Sequence, residues 1–260
     1  MTWAFRRRLI YIAILIVFFG GLGFWIGYPH LNKPPTCTDG KQNGEETGVD
    51  CGGSCALACV ATVEDLKIIW SRSFEIVPGR YNAVAYVENQ NKNAMVAKIK
   101  YRFRFADKNN LYIGSREGET TIPPSGKIAI FEPAVDLGSS VPVYTSFEFI
   151  QRPIWTQVPL EKIRQSKLTL SDITLEDEFN LPKLYAKIEN TTFLTFPNVK
   201  VVAILYDRSG NALSASQTYI EKLGPEATEE MSFTWRSPMA KPVVTKEIIP
   251  IFNILEVGVK

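Results

Sequence analysis

Between Leu9 and Tyr28 the chain reads LIYIAILIVFFGGLGFWIGY, twenty residues without a charged side chain. At about 1.5 Å of rise per residue, a helix of that length crosses the roughly 30 Å hydrocarbon core of a bilayer. A cleaved leader has a shorter apolar stretch followed by small residues, whereas Trp25, Tyr28, His30 and Pro34 follow here. Retention as an anchor is therefore expected. Arg6, Arg7 and Arg8 precede the run and only Lys33 follows closely, which places the N-terminus in the cytoplasm, with Trp25 and Tyr28 at the outer interface. The reading is residues 1–8 cytoplasmic, 9–28 a transmembrane helix in contact with lipid, and everything beyond extracytoplasmic. Eight residues inside are too few for a folded output domain. Cys37 follows Pro34, Pro35 and Thr36, which is not the small-residue setting of a lipidated cysteine.

With 29 basic and 27 acidic residues in 260, and three of the basic ones ahead of the helix, the outer part is close to neutral. Nucleic-acid binding draws most of its affinity from concentrated basic surface, so no nucleic-acid partner is expected. A hydrophobic fraction of 45% is that of ordinary folded material.

All four cysteines fall in the segment CTDGKQNGEETGVDCGGSCALAC, as Cys37, Cys51, Cys55 and Cys59. Too few apolar side chains lie between them to bury a core, so a covalent or ionic staple is needed. An even count in an oxidising compartment predicts two disulfides, with three connectivities open. A four-thiolate zinc site competes, but it favours shorter knuckles and a reducing compartment. Asp39, Asn43, Glu45 and Asp50, together with Glu46, alternate with glycines and offer oxygen ligands for a hard cation such as calcium; a solvated, turn-rich loop has the same composition. The segment resembles the C-x-D-G-x-x-N-G-x-E-T-x-V-D-C-G-G-x-C-x-x-C motif of many bacterial surface and secreted proteins, with its last gap, Ala56 to Ala58, one residue longer. The resemblance implies a surface location and no particular reaction.

From Leu66 onward the hydrophobic period is two. Ile99, Tyr101, Phe103 and Phe105 alternate with Lys98, Lys100, Arg102 and Arg104, a strand with one buried and one basic face. Turn-forming residues mark strands near 66–76, 81–89, 97–106, 111–121, 127–132 and 143–150, then near 168–177, 183–190, 198–206, 212–220, 228–236 and 247–255. The two series repeat. VAYVEN at 84–89 matches LYAKIEN at 184–190, YRFRFADKNN at 101–110 matches VAILYDRSGN at 202–211, and Pro123 to Gly126 answers Gly224-Pro225-Glu226. Phe147-Glu148-Phe149 is set against Phe233-Thr234-Trp235 in the same alignment. The offset of about one hundred residues is the length of one immunoglobulin-like sandwich. The fold class is therefore mainly β: a transmembrane helix, a small disulfide-rich module at 29–62, and two tandem immunoglobulin-like β-sandwiches at 63–152 and 167–260, joined by a linker at 153–166. Through Glu189-Asn190 and Leu205-Tyr206-Asp207 the second half resembles a bacterial β-sandwich family named for its F-x-L-Y-D motif, and more distantly the late-embryogenesis-abundant sandwiches. That resemblance implies an extracytoplasmic accessory or binding module and brings no catalytic residues. Asp107 and Asp207 read as caps of hairpin turns.

The single histidine, His30, sits at the membrane boundary, which removes the histidine base that a serine or cysteine triad requires in the outer domains. Glu229 and Glu230 are adjacent on a strand and point to opposite faces, so they cannot flank one glycosidic bond. Glu117 and Glu119 share a face opposite the basic stripe as cross-strand partners. The stripe of Lys98, Lys100, Arg102 and Arg104 is a possible binding surface for an anionic polymer, lipid headgroup or acidic protein, or else a solvated face neutralised by Glu117, Glu119 and Glu148. Asn190-Thr191-Thr192 matches the glycosylation acceptor pattern. The functional expectation is a non-catalytic structural or interaction protein of the cell envelope, with a protein or envelope-polymer partner. The alternative is an accessory subunit of a secretion or surface-polymer assembly complex.

Overall fold

A computed structural model describes residues 3–31 and 34–259, without the side chains of 29–31; Lys33 and the His30 side chain lie outside the described residues. One helix, α1 (Trp3–Leu31), contains the whole apolar run and takes in Arg6 to Arg8 ahead of it. Its apolar side chains face outward with no protein over them, as they must if lipid is their solvent. The chain divides into two compact units, residues 1–53 and 54–260. The cysteine segment is thus divided between them, and its second part is built onto the first sandwich. Ala58 N donates to Trp155 O at 3.0 Å and Gln157 N to Ala56 O at 2.7 Å. Asn91 then holds Glu64 through both its side-chain atoms, at 2.8 and 2.7 Å.

The larger unit is mainly β. Strands β1 (Lys67–Val77), β2 (Arg80–Asn89) and β5 (Gly126–Asp136) form an antiparallel sheet in the order β1-β2-β5. It faces a second sheet, β4-β3-β6, built from β3 (Ala94–Ala106), β4 (Tyr112–Ile122) and β6 (Tyr144–Phe149). The segment expected to be a linker holds β7 (Trp155–Gln157), which pairs with β3, and a short helix α2 (Leu160–Gln165). The second half follows with β8 (Thr169–Glu176), β9 (Lys183–Glu189), β10 (Phe196–Tyr206), β11 (Ala212–Leu223), β12 (Thr228–Thr234) and β13 (Thr245–Ile251). Its sheets run β8-β9-β12 and β11-β10-β13, the same path strand for strand. One part of the sequence alignment needs correction. Phe147-Glu148-Phe149 lies on β6 beside β3, but Phe233 and Thr234 lie on β12 beside β9, so the true counterpart of β6 is β13. Alternating aromatics occur on several strands of a sandwich, and similarity over three residues does not separate them.

The repeat extends to its polar fastenings. Asn89 and Asn190 are both fully buried. Asn89 Nδ2 donates to Ala94 O at 2.9 Å and Pro123 O at 2.8 Å, and Asn190 Nδ2 to Leu194 O at 2.7 Å and Gly224 O at 2.5 Å. Each amide thereby ties the loop that crosses from one sheet to the other (β2 to β3, β9 to β10) to the turn that crosses back (β4 to β5, β11 to β12). Asp107 and Asp207 cap the hairpins at the other end: Oδ1 of Asp107 accepts from Asn109 N and Leu111 N, that of Asp207 from Ser209 N and Asn211 N. Hydrogen bonds from Asn211, with further ones from Lys241 and Ser209, hold the Asp207 carboxyl below its ordinary range despite the opposing effect of burial.

The two sandwiches are fused face to face. Odd-numbered residues of β2 (Ala83, Ala85, Val87) point into the first core, while Val84 and Tyr86 point out of it, and all five are buried. Likewise Val199, Val201, Ala203 and Leu205 of β10 fill the second core, and Val202 and Ile204 join the cluster that includes Val84 and Tyr86. Ala215, Ile249 and Ile251 complete this seam. Sheets β1-β2-β5 and β11-β10-β13 are therefore inner layers covered on both sides. At the seam Glu247 Oε1 accepts from Tyr86 OH at 2.5 Å and Oε2 from Tyr206 OH at 2.8 Å, while Trp70 stacks on Tyr86 with centroids 5.3 Å apart.

Burial first, then the Glu247 carboxylate, pushes both tyrosine hydroxyls well above their usual range. For an acid whose folded-state pKa is raised, the protonated form stabilises the native state, and that contribution is lost as pH climbs past the unfolded value near 10. Melting temperature is expected to fall above about pH 10, and more gently in Tyr206→Phe; an equal fall in the variant would remove the seam tyrosines from the alkaline transition. Asn190→Ala removes both donations to the half-buried carbonyls of Leu194 and Gly224 and is expected to cost about 1–3 kcal/mol in all, measured by denaturant unfolding.

Candidate functional site

The sequence singles out two surfaces, the cysteine loop and the basic stripe. In the loop all four cysteines are disulfide-bonded, so thiolate metal ligation is not their role in this structure. The carboxylates turn inward on the backbone of the loop itself. Asp39 Oδ1 accepts from Lys41 N at 2.9 Å and Oδ2 from Asn43 Nδ2 at 2.8 Å, and this amide is the main reason the Asp39 carboxyl lies below its usual range. Both oxygens of Asp50 accept from Gly40 N, at 3.1 and 3.0 Å. Glu46 Oε2 accepts from Asn43 N and Asp50 N, at 3.3 and 3.2 Å. Gly53 is forced at its position: its φ is +57°, and a Cβ there would collide with Glu45 O. Asp39, Asn43, Glu46 and Asp50 are thus drawn together around one turn, while Glu45 contributes its backbone to the close approach of Gly53. The buried Asn43 Oδ1 is an acceptor with no hydrogen-bond partner. It is the atom through which an added cation would find a ligand that the loop does not already use.

The basic stripe lies on β3, on the outer face of the first sandwich, with Tyr101, Phe103 and Phe105 buried behind it. Register sets Arg102 opposite Glu117 and Glu148, and Lys100 opposite Glu119. The ion pairs run Lys98–Glu119 at 2.7 Å, Arg102–Glu117 at 2.6 Å, and Glu148 to Arg102 and Arg104 at 3.3 and 2.8 Å. The stripe is a ladder of opposite charges. Among the described residues Lys100 is its one cation without an ion pair.

Some of the other carboxylates carry ion pairs of their own. Glu230 lies 3.8 Å from Lys187. Glu132, unremarked in sequence, is buried on β5, where it accepts from Tyr101 OH at 2.8 Å and pairs with Arg116 at 3.1 Å. Gly118 makes room for this group, since a Cβ there would strike Glu132 Oε1 and Tyr101 OH. Burial drives the Tyr101 hydroxyl upward, with the Glu132 charge adding to it. Asn190 cannot accept a glycan in this fold, because its amide nitrogen is buried and donates twice, and Oδ1 accepts from Thr192 Oγ1 at 2.8 Å.

A cleft of about 380 Å³ at the seam was not legible in the sequence, because its walls come from both halves: Ser73 and Asn82 from the first, Ser214, Trp235, Arg236 and Ser237 from the second. It mixes hydroxyls, the Arg236 cation, the Glu75 carboxylate and an indole whose buried Nε1 has no hydrogen-bond partner. Among the described residues no histidine and no pair of carboxylates lines it.

No family model and no curated protein matches the chain. Among solved structures it is similar in part to red sea bream transglutaminase (12% identity, TM-score 0.24, 73% of this chain and 31% of that one). It is also similar in part to a Bacteroides uniformis β-glucuronidase (14%, 0.22, 68% and 26%) and to a glycoside hydrolase family 2 β-glucuronidase (10%, 0.23, 84% and 29%). The chain spans about a third or less of each, and likeness at this level carries no argument about activity.

Because loop donors already occupy Asp39, Glu46 and Asp50, calcium is expected to leave the melting temperature of the full chain in detergent unchanged. A rise that Asn43→Ala abolishes would assign the loop a cation.

Proposed function

We propose that this chain is a single-pass membrane protein whose two fused sandwiches stand on the extracytoplasmic side as a non-catalytic interaction module of the cell envelope. The observation that carries the reading is the succession of an outward-apolar helix and a segment whose cysteines are all oxidised. A lipid-soluble anchor followed by disulfides fits a chain that leaves the cytoplasm directly after the helix. The role as an interaction module rests on where the ionisable groups are used. Glu117, Glu119 and Glu148 neutralise cations on a sheet face, Glu132 and Glu247 tie buried tyrosines, and Asp107 and Asp207 cap hairpins. Sheet edges and loops are what such a module offers to partners. The resemblance of the second half to the F-x-L-Y-D sandwiches supports the same reading.

Topology is the test. Protease added to intact cells stripped of their outer layers is expected to reach the sandwiches, and a thiol reagent is expected to label no cysteine until reductant is added. Protection from protease together with ready labelling would place the sandwiches in the cytoplasm and overturn the proposal.

A further inference from the structure

Sandwiches expose sheet edges, and an unpaired edge is a template for another strand unless something blunts it. The edges here are blunted one by one. β1 slips register twice, between Ile68 and Trp70 and between Glu75 and Val77. β5 carries Pro133 and a left-handed Ala134, and β8 is broken at Asp172. β6, β12 and β13 are short, with Glu229 and Glu230 on β12 and Pro250 on β13. β4 slips register twice and presents Arg116, Glu117 and Glu119.

The counterpart of β4 in the second half is β11, which shares with it the slip beside the hairpin and, from Ser214 to Ile220, none of the other defences. From Leu213 to Ile220 it reads Leu-Ser-Ala-Ser-Gln-Thr-Tyr-Ile, without charge, proline or glycine. It keeps one register with β10 from Ser214 to Leu223; the shift lies at Leu213, between Ser214 and Ala212, which face the adjacent Leu205 and Tyr206. β10 is its single neighbour in the sheet. The first sandwich reaches the beginning of the strand, where Arg72 and Asn82 donate to Ala212 O and Ala215 O, both at 3.4 Å. The open stretch therefore starts at Ser216.

We propose that this open edge, Ser216 to Ile220, pairs antiparallel with the same edge of a second copy, so that the β11-β10-β13 sheets of two chains become one continuous sheet. The segment is its own complement. Pairing about Thr218 sets Gln217 against Tyr219 and Ser216 against Ile220, and it places Glu221 opposite Ala215 and Lys222 opposite Ser214, so no charge meets its like. Tyr219 is exposed, its hydroxyl donating to Asn198 Oδ1 of β10. A two-fold contact of this kind is closed and stops at the dimer. The inference stands on the strand edge and goes beyond the anchored reading; an anchor adds only confinement to one surface, which raises the encounter rate.

The test uses the full chain in detergent, followed by sedimentation across a concentration series. The wild type is expected to pass from monomer to dimer. Gln217→Lys with Tyr219→Lys sets like charges against each other across the two-fold and is expected to weaken dimerisation about tenfold or more, with the β-sheet circular-dichroism spectrum of the folded chain retained. A matching variant with Glu at both positions is also expected to be monomeric, and mixing the two is expected to restore a dimer. A wild type that stays monomeric at every soluble concentration overturns the proposal, including where the edge instead takes up a peptide from another protein. So does a dimer that survives in the Lys variant, or a mixture that fails to recover.

Discussion

The seam between the inner sheets is the contact on which the arrangement depends. A sandwich sheet ordinarily has one apolar face and one wet face. Here β2 and β10 are apolar on both, and each supplies side chains to its own core and to the contact with the other half. Separating the halves would put Val84, Tyr86, Val202, Ile204, Ile249 and Ile251 into water together, at roughly 25 cal/mol per Å² of apolar area exposed. Glu247 fixes the register of the contact: its two oxygens take one tyrosine from each half, which a merely greasy surface would not require.

The surface of the first half that corresponds to this seam is built differently. Counting back from Asp107 and Asp207, Arg102 and Arg104 of β3 correspond to Val202 and Ile204 of β10. In the second half these positions are covered by the first sandwich; in the first half they face outward and carry the charge ladder. A further sandwich docking there would have to desolvate ion pairs, and interfaces built on buried charge gain little over their desolvation cost. The basic stripe is thus the solvent-facing version of a surface that the repeat uses elsewhere as a joint.

Most polar groups buried inside the unit have a local partner; Ser166 Oγ and Trp235 Nε1 are exceptions. The paired amides of Asn89 and Asn190 and the hairpin caps of Asp107 and Asp207 satisfy backbone groups where strands cannot. They recur because each half faces the same loop-closure problem. Glu132 is particular to the first half, where Gly118 clears the space and Arg116 supplies the charge.

Much of this was legible in the sequence by itself. Twenty uncharged apolar residues at Leu9 to Tyr28 dictate one long apolar helix; period-two patterning at Ile99 to Phe105 dictates strands; and recurring Asn and Asp at matched turns reveal the repeat. These are local properties, set by backbone geometry and by which side of a strand is apolar. The sequence also placed Glu117 and Glu119 on the strand facing the β3 cations, since that hairpin is local, whereas Glu148 reaches Arg102 and Arg104 from β6 by topology. What only the tertiary structure decided is non-local. β7 occupies part of the expected linker because β3 offers it an edge to pair with, and β6 answers β13 rather than β12 because sheet membership depends on topology. The second apolar face of β10 looked in sequence like one more buried strand, since a continuous apolar run does not say which layer covers each side. That covering layer lies more than a hundred residues away, and folding alone brings it there.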